Sequence, residues 1–328
     1  MKKTGKLSRF LSVIISAALA VSSVAALPLD TAAAGSTYSI STAEELIGLS
    51  KLCRLDSWSK GKNVVLENDI ILTGKDFSPI PIFCGAFDGQ GHSIKGLSVT
   101  GVTGHGLFNI IDENAIVKNL NVVGIIRPTG SETNIGGIAG TNKGVIYNCS
   151  FSGKVSAANT VGGIAGANAE KASILKCTAA GTVDGEKFTG GIVGSNSGNI
   201  VQCINASSIN TTNEEKKHSL EDIDLSTLTD VDSYTKKASS DDTASAADTG
   251  GIAGYSTGTV FSCENSGSIG YPHVGYNIGG IIGRSSGLVM NCTNYGHLNG
   301  RKDIGGIVGQ MEPYLVVNIN PDNMDQLK

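Results

Sequence analysis

The chain has 328 residues, 16% of them charged and 5% aromatic, with a net charge of −4. That balance gives no electrostatic reason to expect a nucleic-acid partner. Glycine is abundant, at 44 residues, but has no strict three-residue period, which excludes collagen.

Residues 1–34 have the form of an export signal. Lys2, Lys3, Lys6 and Arg9 precede an apolar run over residues 10–24, and small residues follow, with Ala32, Ala33 and Ala34 as a cleavage motif and a cut after Ala25 as the rival. The run is short for a membrane span, and no second stretch of spanning length appears. The mature protein is therefore expected outside the cytoplasm, secreted or at the bacterial cell surface, with no membrane span.

Residues 35–60 are expected to form an N-terminal cap. Ser41 and Glu44 fit a capping box, opening a short amphipathic helix through Leu46, Leu49 and Leu52. Such a helix would cover strand edges that an open first coil exposes. Next, KNVVLENDI, GAFDGQGHSIKGLSV and GLFNIIDENAIVKNLNVVG alternate apolar runs with Asp-Gly or Asn turns, about three coils in all.

Six copies of Gly-Gly-Ile-x-Gly then begin at Gly136, Gly162, Gly190, Gly250, Gly279 and Gly305, separated by 26, 28, 60, 29 and 26 residues. A fixed period in this range marks a stacked repeat architecture. Cys149, Cys177, Cys203, Cys263 and Cys292 follow the first five copies, 13 residues after the first glycine in four of them and 15 in the copy at Gly162. A third apolar stretch comes after most of them, so each repeat offers three short strands and no helix. The fold expected is all-β: a right-handed parallel β-helix, or solenoid, over residues 61–309, of roughly nine coils. Ile138, Ile164, Ile192, Ile252, Ile281 and Ile307 should form one inward column and the five cysteines another. The glycines should serve turns with positive φ and close coil-to-coil approach. Stacked cysteines read better as buried free thiols than as disulfides, because the strand spacing exceeds what a disulfide prefers. Cys53 and Cys84 stand outside the column.

Residues 207–249 break the period with ten acids against four lysines and read as a polar acidic insertion leaving one coil. After Gly309 no cysteine strand follows, and residues 310–328 read as a tail leading toward a missing region or a partner.

At GGIAG, GGIVG and GGIIG the chain resembles the GLUG-motif family of bacterial exported proteins, and FDGQGHSIKGL with GLFNII resembles the β-helical lead-in to such repeats. The resemblance spans roughly residues 64–309. It implies a secreted or surface protein of the adhesin-like kind, or an accessory region of an IgA-protease-type peptidase. No peptidase residues carry over, because no histidine among His92, His105, His218, His273 and His297 sits in an H-E-x-x-H motif.

Chemistry is sparse. Asp88 and His92 in FDGQGH read as a turn, and Asp69 and Asp76 also lie near turns. The GGIxG glycines open no helix, which argues against a nucleotide site. No catalytic, metal-binding or cofactor-binding residue is assigned, and no cofactor is expected. The candidate ligand-facing residues are Tyr255, Tyr271, Tyr276 and Tyr295, a stripe of rings on the C-terminal coils suited to stacking on sugars. The function expected is a non-catalytic surface scaffold or adhesin-type binding module, with glycans or matrix and surface proteins as partners. The alternatives are a glycan-cleaving β-helix enzyme of the lyase or hydrolase type, or an accessory domain of a larger secreted peptidase.

Overall fold

A computed structural model describes residues 36–101, 104–212 and 247–313. The expected export signal, most of the expected acidic insertion and the tail beyond residue 313 lie outside the described residues.

The backbone winds as a parallel β-solenoid of about nine turns. Its strands form four parallel sheets: sheet A with nine strands, sheets B and C with eight each, and sheet D with six. An early turn has three sides, as in Ala86–Asp88 on A, Ser93–Val99 on B and Phe108–Ile111 on C. From Thr133 onward each turn has four, as in Val145–Tyr147 on A, Ser150–Ser156 on B, Asn159–Gly162 on D and Ala165–Asn168 on C. The strand on D was invisible in the expected three-strand repeat because it is short and polar and ends on the first glycine of the motif.

Register is kept from coil to coil. On sheet A, Val64, Phe87, Val117, Ile146, Ile174, Ile200 and Val260 stack in one inward column, each fully buried. The motif isoleucines form the column expected of them, linked through their own backbones: Ile138 N–H donates to Ile164 O at 2.9 Å, and Ile164 N–H to Ile192 O at 2.9 Å. Ile307 continues it, its carbonyl accepting from Ile281 N–H at 2.9 Å, but is 39% exposed because no described coil lies beyond it.

Two inward columns change chemistry along the rod. On sheet B, Phe151 gives way to Ala179, then to Asn205, Asn265 and Asn294. Asn205 Nδ2 donates to Asn265 Oδ1 at 2.7 Å, and Asn265 Nδ2 to Asn294 Oδ1 at 2.7 Å. On sheet C, Asn142, Asn168 and Asn196 are linked in the same way at 2.8 Å. A buried amide is tolerated because the next coil supplies its partner.

The motif glycines answer a steric demand. A Cβ on Gly163 would lie 2.2 Å from Gly191 O, and one on Gly191 2.2 Å from Asn205 Cγ. None of them has positive φ, against expectation. Left-handed backbone is carried instead by two columns of other residues: Asn119, Asn148, Lys176, Gln202, Ser262 and Asn291 at the corner between A and B, and Asn134, Thr160, Phe188, Asp248, Asn277 and Asp303 on D. Several of them are asparagine or aspartate, which tolerate this conformation best, and the buried Asp248 and Asn277 are hydrogen-bonded to each other.

The cysteine column sits just past the A–B corner. Cys149 Sγ donates to Tyr147 O at 3.2 Å, Cys177 Sγ to Leu175 O at 3.3 Å and Cys203 Sγ to Val201 O at 3.5 Å. All seven cysteines are free thiols. Burial pushes the Cys149 and Cys203 thiols up.

The N-terminal helix spans Ala43–Leu52, with its register one residue later than expected. Thr42 is the cap: its side chain accepts from Glu45 N–H, and the Glu45 carboxylate accepts from Thr42 N–H at 3.0 Å and Ser41 N–H at 2.7 Å. The buried face is Ala43, Leu46, Leu49 and Ser50, whereas Leu52 is 39% exposed, since a six-residue step from Leu46 turns it about 120° away. Ser50 Oγ donates to Ser78 O at 2.7 Å, seating the helix beside Ile80–Phe83, the first strand of sheet C. Thr37–Ile40, placed in the cap region by sequence, is already the first strand of sheet A. The excursion is likewise shorter than residues 207–249, because Ile204–Ile209 and Ala247–Gly250 pair as ordinary strands. Val308–Met311, at the head of the expected tail, pairs with sheet C.

Two outcomes follow. Ile164→Ala should lower stability by about 2–5 kcal/mol in urea unfolding, and Gly163→Ala should destabilise comparably although it adds only one methyl, because its Cβ meets backbone. Burial pushes the Cys53 thiol from an ordinary 9.0 up to about 11. Above pH 9 the unfolded chain releases a proton that the folded chain keeps, so this share of stability is complete below about pH 9 and is lost as pH rises toward 11. Cys53→Ala should therefore flatten the decline of the urea midpoint over that window; an unchanged slope would refute the assignment.

Candidate functional site

The four tyrosines do not form a stripe. Tyr255 points outward from Ala253–Ser256 on sheet C, and Tyr276 opens Tyr276–Gly279 on sheet D; both are half-buried. Tyr271 lies in a connection before that strand, and Tyr295 follows Thr293–Asn294 on sheet B at 70% exposure. Apolar spacing along the chain says how far apart residues are but not which side of a four-sided coil they occupy.

Tyr255 belongs to a different grouping, created where sheets C and D meet. The last glycine of each motif lies against the left-handed residue of the preceding sheet D strand. A Cβ on Gly166 would be 2.2 Å from Asn134 C, one on Gly254 2.4 Å from Phe188 C, and one on Gly283 2.5 Å from Asp248 C. This contact aligns two outward positions: two residues before one motif, and five residues after the first glycine of the next. The second position reads Thr141, Ala167, Ser195, Tyr255, Arg284 and Gln310, stacked in register.

Side chains across this corner match in kind. Phe188 and Tyr255 have ring centroids 5.5 Å apart, tilted by 35°. Arg284 Nε lies 3.0 Å from Asp248 Oδ1, and Arg284 Nη1 donates to Glu312 Oε1 at 2.8 Å. Asn277 Nδ2 donates to the same Asp248 oxygen at 2.7 Å. The Asp248 carboxylate is 4% exposed, so a partner on the next coil is required for it to remain buried. The Arg284 guanidinium also sits 4.8 Å from the Tyr255 ring and 5.7 Å from Phe188, and the Lys187 ammonium 4.8 Å from Phe188. One cation thus holds two rings and two acids in fixed places.

Phe188 and Arg284 escaped the sequence reading. The signal was there: with the repeats aligned on their first glycine, the position two residues earlier reads Asn, Thr, Phe, Asp, Asn, Asp, and phenylalanine is the exception.

The other candidates resolve into local pairs. Asp88 accepts from Gln90 N–H at 2.9 Å and Asn119 Nδ2 at 3.1 Å, as a turn residue does. Asp69 accepts from Ser93 N–H at 2.9 Å and Lys95 Nζ at 2.8 Å, and the Lys95 hydrogen bond leads the effects that hold its carboxyl below the usual range. Cys84 Sγ donates to Asp56 O at 3.4 Å and to Asp112 Oδ2 at 3.5 Å. Among the described residues no group of three or more His, Cys, Asp or Glu side chains is arranged to hold a metal ion, and no helix is long and apolar enough to cross a membrane.

Comparison with known proteins agrees with this architecture. Residues 131–156 and 157–184, two successive coils, each match the GLUG motif. Halomucin of Haloquadratum walsbyi is 32% identical over 102 residues, which is 28% of this chain and 1% of halomucin's own length. A solved structure from Bacteroides ovatus, described as a candidate immunoglobulin A1 protease, superposes with a TM-score of 0.55 at 17% identity, covering 84% of each chain. At that identity the likeness is one of fold alone. The chain is a parallel β-solenoid, two of whose successive coils match the GLUG motif.

Proposed function

We propose that this protein is an exported, non-catalytic surface scaffold of the adhesin type, whose rod presents a binding face to glycans or to matrix and surface proteins. The observation that carries the reading is a division of labour within the repeat. The inward column of sheet A stays apolar from Val64 to Val260, whereas the outward position five residues after the motif's first glycine changes from Thr to Ala, Ser, Tyr, Arg and Gln. A scaffold constrains its core and leaves its faces free to acquire partners.

Further support comes from the signal-like residues 1–34 and from the relatives. A halomucin and a candidate immunoglobulin A1 protease carry similar sequence or fold, and both names fit an extracellular setting. Asp69 pairs with Lys95 and Asp184 with Lys154, both along sheet B, and Asp248 pairs with Arg284 at the corner between D and C, so these acids are matched by cations, whereas glycan cleavage calls for acids converging on one bond.

The test is expression of the full chain in a bacterial host, with fractionation and intact-mass analysis, followed by screening on glycan and matrix-protein arrays and a reducing-end assay on the same glycans. The expected outcome is removal of the first 25 to 34 residues, recovery outside the cytoplasm, and saturable binding without new reducing ends. A full-length cytoplasmic product that binds nothing would overturn the reading; new reducing ends would replace it with the glycan-cleaving one.

A further inference from the structure

We propose that Phe188 and Tyr255 form a preorganised platform for a neutral sugar ring at the corner between sheets C and D. This deepens the binding-module reading and rests on it.

Three observations converge. The first is a conformational exception. Phe188 holds φ at 53°, where the same position elsewhere carries Asn, Thr or Asp. A bulky residue is disfavoured in left-handed backbone, and such strain persists where the surroundings enforce it, often at ligand sites. The second is a fixed geometry. Arg284 is anchored at one end by Asp248 and Glu312 and lies against both rings, so the aromatic pair is held before any ligand arrives. Little ordering is left for a ligand to drive. The third is room. Beside Tyr255 in its column stands Ser195, and beyond that Ala167, neither long enough to cover a ring. Both rings are half-buried, and part of each reaches solvent.

The ligand class follows from charge and shape. Arg284 pairs with Asp248 and Glu312, and Lys187 lies over the Phe188 ring, so the two cations and two carboxylates of the corner cancel and favour neither an anionic nor a cationic ligand. An apolar ring face edged by a tyrosine hydroxyl and a serine suits the face of a pyranose, which is apolar on C–H and polar at its rim.

The neighbouring coils supply mild variants. Phe188→Asn installs the residue found at the same position two coils earlier and relieves the left-handed strain, and Tyr255→Ser installs that of the preceding coil. Each should keep the cooperative melt of the wild type. The experiment is titration calorimetry of the full chain and both variants against neutral gluco-, galacto- and manno-oligosaccharides and their uronic-acid counterparts, with a matrix-protein array in parallel. The expected result is binding of at least one neutral series, weakened about tenfold or more in each variant, a loss of the size aromatic contacts supply, with uronic chains bound more weakly. Binding to neutral chains that both variants retain would overturn the platform and leave the binding module standing. Wild-type binding to matrix protein but to no neutral chain would do the same, whereas no binding in either arm would remove both.

Discussion

Parallel, in-register stacking of successive coils is the constraint on which everything else here depends. Each coil satisfies its backbone amides with the coil before and the coil after, at a separation of about 4.8 Å, and so cannot shift without losing them. Register then repeats every side chain at the same point of the cross-section. An isoleucine meets an isoleucine and an asparagine meets an asparagine, which is how Asn142, Asn168 and Asn196 lie buried with their amides linked end to end. An isolated amide at such a site would lose its solvent partners and gain none.

The same stacking explains the glycines. The corner between sheets D and C is tight because two backbones approach closely there, and a single Cβ would enter the carbonyl of the next coil. Within the motif glycine is retained for its size, while positive φ falls to other positions, several of them asparagine or aspartate. The close approach also aligns outward residues of adjacent coils. Asp248 with Arg284, and Phe188 with Tyr255, are pairs that the glycine corner brings together. The core motif and the candidate binding face are thus two consequences of one contact.

The ends of the rod are handled differently. At the N-terminal side the helix Ala43–Leu52 lies beside the first strand of sheet C and covers apolar surface. At the last described coil Ile304 and Met311 are 47% and 65% exposed, although their counterparts in earlier coils are buried. Interior side chains in a solenoid are buried by neighbours rather than by their own coil, so exposure rises where the neighbours stop.

The architecture was legible in the linear chain: six spaced motifs, with an isoleucine and a cysteine at nearly constant offsets, point to stacked coils, because stacking returns the same residue to the same place at that period. So was the start of a helix near residue 42, though the cap fell on Thr42 instead of Ser41, since Ser41, Thr42, Glu44 and Glu45 offer two overlapping boxes. The number of sides to a coil, and which outward residues meet, emerged in three dimensions. The strand on sheet D is too short and polar to announce itself, and its partners lie a whole coil away. Phe188 and Tyr255 are 67 positions apart in a chain whose period is interrupted between them; linear spacing carries no angle around the rod, and contact across a corner depends on that angle.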